Sequence, residues 1–109
     1  MVQLLEANLA KPVRIKDLAA AARLSVSYFS YAFRRSVGES PFSYVRRRRI
    51  ERAQQMMLLT ERPLVEIALE CGLTNQQHLT KAFRRLVGMS PGAWRRLRRA
   101  TKQRAVGDS

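Results

Sequence analysis

Apolar side chains return along this chain every three or four residues, and no segment alternates apolar with polar as a half-buried strand would. Proline and glycine fall only at the joints between these periodic stretches. The pattern predicts an all-α fold. In "IKDLAAAARL", Leu18, Ala21 and Ala22 recur at helical spacing, and alanine is the strongest helix former. A turn at Arg23 and Leu24 follows, with Ser25 placed to cap the next helix. On that helix Phe29, Ala32, Phe33 and Val37 share one face, while Ser27, Ser30, Tyr31 and Arg34 point the other way. Ser40 followed by Pro41 is a cap with proline at the first helical position, and it opens a helix running to about Leu59.

The same pattern then repeats. Nine of fifteen positions in 32–46 match 82–96, reading A-F-R-R-x-V-G-x-S-P-x-x-x-x-R, with Tyr44 answered by Trp94. Upstream the offset drops to forty-nine, so that Leu24 answers Leu73 and Ser25 answers Thr74. The second copy reads as a short helix "VEIALEC", a turn at Gly72 and Leu73, and a helix capped by Thr74, with Gln77 completing a capping box. Its buried stripe is Leu79, Ala82, Phe83 and Val87. Gln77, Thr80, Lys81 and Arg84 face outward, with Gln76 at the helix entrance. Helix, short turn and capped helix, written twice, is the pattern of two helix-turn-helix units. Arg23 stands where the second copy has Gly72; a left-handed backbone there costs arginine about 1 kcal/mol.

Charge gives the outward faces a partner. Lys and Arg number 21 against 8 acids, a net charge of +13, which points to a polyanion such as nucleic acid or to an anionic membrane surface. Serine, tyrosine, glutamine, threonine, lysine and arginine are residues that bond base edges or phosphates. Two such faces, each on the second helix of a helix-turn-helix, favour double-stranded DNA read at a bipartite site. A helix from Pro41 to Leu59 would be roughly 28 Å long, close to the ~34 Å between successive major-groove faces. A non-specific polyanion binder would more simply carry lysine or arginine where Gln76, Gln77 and Thr80 stand. A membrane-surface bundle would leave its apolar faces open. Only Cys71 and His78 offer thiol or imidazole chemistry, and one of each makes no zinc site. Neither an enzyme nor a cofactor is expected. A single cysteine, no signal peptide and no apolar run of membrane length point to a reducing cytosol.

The arginines divide further. In the run at 46–49, Arg49 falls inside the stripe of Phe42, Val45, Ala53 and Met56 and needs a carboxylate or carbonyl partner. Arg47 and Arg48 face away from it, as a solvated face or as phosphate contacts. Arg34 and Arg84 share the reading faces; Arg35 and Arg85 lie on flanks. Trp94 and Leu97 are placed to dock on the second unit, and Arg95, Arg96, Arg98 and Arg99 either touch phosphates or are solvated. Disorder is expected after about Thr101.

The segments "DLAAAARLSVSYFSYAFRRSVGESPFSYV" and "IALECGLTNQQHLTKAFRRLVGMSPGAWRR" together resemble the DNA-binding domain of AraC/XylS-type bacterial transcription regulators, over residues 4–99. The most specific part is I-A-x-x-x-G-x-x-x-x-x-x-L-x-x-x-F-(K/R)-x-x-x-G-x-x-P-x-x-(Y/W)-R, satisfied from 67 to 95, although Leu73 stands where the family usually has an aromatic. The resemblance implies seven helices: a first helix-turn-helix subdomain over 1–39, a connecting helix over 40–60, a second subdomain over 61–100, and a basic tail over 101–109. Carried over by position, it implies base contacts from Ser27, Ser30 and Tyr31 and from Gln76, Gln77, His78, Thr80 and Lys81, of which His78 lies on a flank. Ser27 and Ser30 are small for base reading, so the first copy would recognise fewer bases or grip backbone. It leaves activator and repressor both open while leaning toward activation through RNA polymerase, and it implies a monomeric DNA-binding part of a longer regulator whose sensing or dimerisation domain lies elsewhere.

Overall fold

The structure is a computed structural model that describes residues 2–7, 9–11 and 13–107, and the side chains of all of these except residues 2, 4 and 102–107. Among the described residues the regular structure is entirely helical: α1 (Val2–Ala7), α2 (Ile15–Ala21), α3 (Val26–Val37), α4 (Pro41–Leu59), α5 (Leu64–Glu70), α6 (Gln76–Val87) and α7 (Pro91–Gly107). They form two units, Met1–Arg49 and Ile50–Ser109, each with its own core. The boundary falls inside α4, so the helix is not a connector separate from both subdomains. Its first half supplies Tyr44 and Val45 to the first core, and its second half supplies Ile50, Ala53 and Met57 to the other. Serving two cores also alters the expected stripe. Phe42 is 58% exposed, and Tyr44 and Met57 are buried instead.

Within the first unit, Phe29 and Phe33 of α3 pack with Leu5, Leu9, Leu18 and Ala19, and Tyr44 meets Phe33 edge to face at 5.6 Å. In the second, Leu79, Ala82 and Phe83 of α6 pack with Ile67, Ala68 and Leu73, and Trp94 meets Phe83 at 5.6 Å in the same geometry. Cys71 is buried here as a small packing residue, its thiol 3.7 Å from the Met56 sulfur.

α2 and α5 end alike. Leu24 N–H donates to the Ala19 carbonyl and Arg23 N–H to that of Ala20; Leu73 and Gly72 repeat both bonds to Ala68 and Leu69. This double closure is a Schellman motif, which requires a left-handed residue just past the helix. Arg23 accordingly sits at φ 58° and Gly72 at φ 83°. α2 stops at Ala21, earlier than the alanine run suggests, and buries Leu18 and Ala19, while Ala21 is exposed.

The next helices are capped by Ser25, whose hydroxyl accepts from Tyr28 N–H at 3.1 Å, and by Asn75, whose Oδ1 accepts from His78 N–H at 2.8 Å. Thr74 is therefore not the cap, and the expected capping box with Gln77 does not form. The offset explains the misreading. α2 and α5 are displaced by forty-nine residues and α3 and α6 by fifty, so Thr74 is itself the extra residue in the second turn. At the far end, α7 continues to Gly107 where disorder was expected after Thr101. Thr-Lys-Gln-Arg-Ala holds no helix breaker before that glycine. Residues 108–109 lie outside the described residues.

Candidate nucleic-acid interface

Packing decides which residues of α3 and α6 remain available. With Leu79, Ala82 and Phe83 committed to the core, α6 leaves Gln76, Gln77, Lys81 and Arg84 exposed and Thr80 half-buried. These five side chains line one shallow depression of about 470 Å³. Among the described residues no carboxylate lies within ion-pair distance of Lys81 or Arg84. The row thus offers amide, hydroxyl, ammonium and guanidinium groups that no acid among the described residues neutralises. Glutamine can pair bidentately with adenine, arginine or lysine with guanine, and all of them can reach phosphate.

His78 is exposed but does not join that row. Its backbone N–H is spent on the Asn75 cap, and its Nδ1 accepts from Thr74 N–H at 3.4 Å, a long contact that ties the ring to the turn. The capping geometry holds it on the flank the helical wheel assigns.

On α3, Ser27, Tyr31 and Arg34 are exposed and Ser30 is half-buried. Wheel analysis did not single out Tyr28 or Arg35, and both belong to the same surface. Tyr28 is 57% exposed and Tyr31 58%, with ring centroids 6.4 Å apart, and Arg35 donates to the Tyr31 hydroxyl at 3.1 Å. The signal was present in the spacing: Tyr28 lies three residues before Tyr31 and Arg35 four after it, the distances at which helical neighbours touch. α3 and α6 end at Gly38 and Gly88, both left-handed, with Arg34–Arg35 and Arg84–Arg85 in the last turns. There the helix dipole favours cations.

Several other arginines are engaged inside the protein. Arg47 bonds Glu39 through Nε and Nη2 at 3.0 and 2.7 Å and lies over the Tyr44 ring. Arg48 bonds Glu6, whose Oε1 also accepts the Tyr44 hydroxyl at 2.6 Å. Burial and then that hydrogen bond hold the Tyr44 phenol above its ordinary pKa of 10. Neither Arg47 nor Arg48 is a merely solvated side chain. Arg49 has carbonyl partners, donating to Leu9 O and Lys11 O at 2.9 and 2.8 Å. Arg95 donates to Met57 O, Thr60 O and Arg62 O, and Arg99 to Met57 O, Thr60 O and Glu61. These two close the carbonyl end of α4, which helix geometry leaves unpaired. Arg99 also draws the Glu61 carboxyl below its usual pKa, first by its hydrogen bond and then by its charge. Trp94 docks as expected. Leu97 does not: it stays 53% exposed, while Arg98 covers the Trp94 ring at 5.5 Å.

Comparison with known proteins gives consistent matches. The family described as Helix-turn-helix domain matches residues 18–97. The probable transcriptional regulator LumQ of Photobacterium leiognathi is 37% identical over 78 residues, covering 72% of this chain and 32% of LumQ. The chain thus spans about a third of that relative's length. Among solved structures, the DNA-binding domain of AdpA, a global transcriptional factor crystallised in complex with a target DNA, superposes with a TM-score of 0.87 at 30% identity, covering 94% of this chain and 91% of that one. A transcriptional regulator of Chromobacterium violaceum, described as AraC-type, superposes with a TM-score of 0.80 at 29% identity, covering 89% and 87%.

Proposed function

The chain belongs to the AraC/XylS-type helix-turn-helix family of DNA-binding domains, and from that membership we propose how it works: it reads double-stranded DNA with α3 and α6 in successive major-groove segments, as the DNA-binding portion of a longer transcription regulator. The observation that carries this reading is the outward row of α6. Gln76, Gln77, Thr80, Lys81 and Arg84 form one surface, with no acid among the described residues paired to its cations. A charge-only binder has no use for two glutamines at its centre, whereas base reading does. Ser27, Ser30, Tyr31 and Arg34 supply the corresponding contacts from α3, and His78 supports the turn beside the reading face. The AdpA domain, similar over nearly the whole chain, was crystallised on its target DNA, which supports the same use of this fold here.

The proposal extends to partners. The DNA-binding part acts as a monomer on a bipartite site, in the bacterial cytoplasm at the nucleoid, and activates through contact with RNA polymerase; dimerisation belongs to another domain. Among the described residues no helix is long and apolar enough to cross a membrane. No catalysis and no cofactor enter the reading.

The test is selection from a random duplex library at about 150 mM salt, where non-specific electrostatic binding is weakened. Two short enriched blocks about one helical turn apart are expected. Tight binding at low salt with no enrichment would show that charge alone is the function.

A further inference from the structure

The two reading helices differ in chemistry at equivalent positions. Where α6 presents His78 and Lys81, α3 presents Tyr28 and Tyr31, both more than half exposed on a helix whose other aromatics, Phe29 and Phe33, are fully buried. Large aromatic rings left in water lose the burial that would stabilise them, so two adjacent ones on a binding face are themselves an observation. Tyr31 sits at the centre of the outward face, between Ser27, Ser30 and Arg34 on one side and Tyr28 on the other. Its hydroxyl is held by Arg35 along its own helix at 3.1 Å. The polar end is therefore engaged locally, and the ring is left to make the outward contact. Ser27 and Ser30 have short side chains, which leave room for the ring to approach a base edge.

Resting on the reading of α3 as a major-groove helix, we propose that the first unit recognises its half-site through thymine methyl groups packed against Tyr31 and Tyr28, while the second reads by hydrogen bonds. The 5-methyl group of thymine is the one apolar feature on a major-groove base edge, and apolar side chains read it by contact. The serines looked like a weakness of the first unit; here they are what admits the tyrosine. The two half-sites then differ in kind: one depends on methyl contacts, the other on donor and acceptor geometry.

The experiment uses the whole chain and the duplex recovered by selection. The block whose preference relaxes in Gln77→Ala belongs to α6, so the other belongs to α3. Thymidines in each block are replaced by deoxyuridine, which removes the methyl and leaves the hydrogen-bonding edge unchanged. Affinity is expected to fall about fourfold for each contacted methyl lost from the α3 block, the equivalent of one buried methylene-sized group, and to change little in the α6 block. Tyr31→Ser should erase the thymine–uracil difference at the position that Tyr31 covers, and the double variant Tyr28→Ser with Tyr31→Ser should erase it throughout the block. Tyr31→Phe should retain it, because the hydroxyl is not the reading group. Far-UV circular dichroism verifies that these variants are folded. Uracil tolerated throughout the α3 block, or Tyr31→Phe losing discrimination as fully as Tyr31→Ser, would overturn the inference while leaving sequence-specific binding intact. A selection with no enriched block removes the underlying reading and this one with it.

Discussion

Replacing Arg23 by glycine should make the protein more stable, although it removes a side chain and adds none. Arg23 is held at φ 58° by two backbone bonds, Arg23 N–H to Ala20 O at 3.0 Å and Leu24 N–H to Ala19 O at 2.8 Å. Relaxing its backbone would break the closure that ends α2. For a residue with a Cβ this left-handed conformation costs about 1–2 kcal/mol. Glycine removes that strain but returns about 0.4–1 kcal/mol as extra freedom of the unfolded chain. The net expectation is stabilisation of about 0.5–1 kcal/mol. At roughly 4–8 °C per kcal/mol for a chain of this size, the melting temperature should rise by about 2–8 °C. The side chain is exposed, so its loss opens no cavity. Arg23→Ala is the control, because it removes the same charge and keeps the strain; it should leave stability nearly unchanged. Gly72→Ala is the mirror experiment at φ 83° and should destabilise by about 1 kcal/mol. Thermal and urea melts of the three variants, followed by circular dichroism and Trp94 fluorescence, measure all of this. If Arg23→Gly and Arg23→Ala gain equally, charge and not backbone is responsible. If neither Arg23→Gly nor Gly72→Ala shifts the melt, the strain argument is wrong.

The remaining predictions concern the interface and its support. Gln77→Ala or Lys81→Ala should cost about 1–3 kcal/mol on the selected site and relax preference in one half only; equal losses on random duplex would remove α6 from base reading. Arg84→Ala should weaken cognate and random duplex alike and lower the salt slope by about 0.9, one phosphate contact; a loss confined to cognate DNA would make it a base reader. Arg95→Ala should destabilise the fold by about 2 kcal/mol by stripping charged donors from three carbonyls, yet leave the salt slope unchanged. A shallower slope in the folded variant would reassign Arg95 to phosphate. Tyr44 has a folded-state pKa above its unfolded value near 10, so its contribution is present below that value and is lost as pH rises through the higher folded one. Stability should accordingly fall above about pH 10 and fall less in Tyr44→Phe, as alkaline unfolding curves would reveal; identical curves would contradict the shift.

Much of this was legible because helical periodicity and cap chemistry are local. The faces of α3 and α6 follow from residues three and four apart, and the two αL glycines and Ser40–Pro41 mark their joints without reference to distant parts. What failed was registration across a one-residue insertion. Two adjacent cap-forming residues, Thr74 and Asn75, each fitted the pattern, and only the path of the turn after Leu73 selects Asn75. α4 failed for a different reason. A wheel assumes one buried face, and a helix that serves two cores has none that is constant, so Phe42 was placed inside and Met57 overlooked. Tyr28 lies on the flank of α3, in neither the inward nor the outward set, and an exposed aromatic there still shapes the surface.

The duplication also explains why net charge overstates the DNA footprint. Arg49 and Arg99 are equivalent residues, fifty positions apart, and both donate to carbonyls left open where the chain leaves an earlier helix: α1 for Arg49, α4 for Arg99. In each unit one of the accepting carbonyls belongs to a buried core residue, Leu9 in the first and Met57 in the second. Arginine suits that task because its planar fork donates to two carbonyls at once, which lysine's single ammonium does less well. Arg47 and Arg48 are held by Glu39 and Glu6, and Arg62 by Glu70. A substantial part of the basic excess therefore finishes helices and bridges elements. Among the described residues the cations of the two outward rows, Arg34, Lys81 and Arg84, have no acid partner and are left open to an anion. In this chain the role of an arginine is set by whether a carbonyl or carboxylate lies within its reach, and the sum of charges does not carry that information.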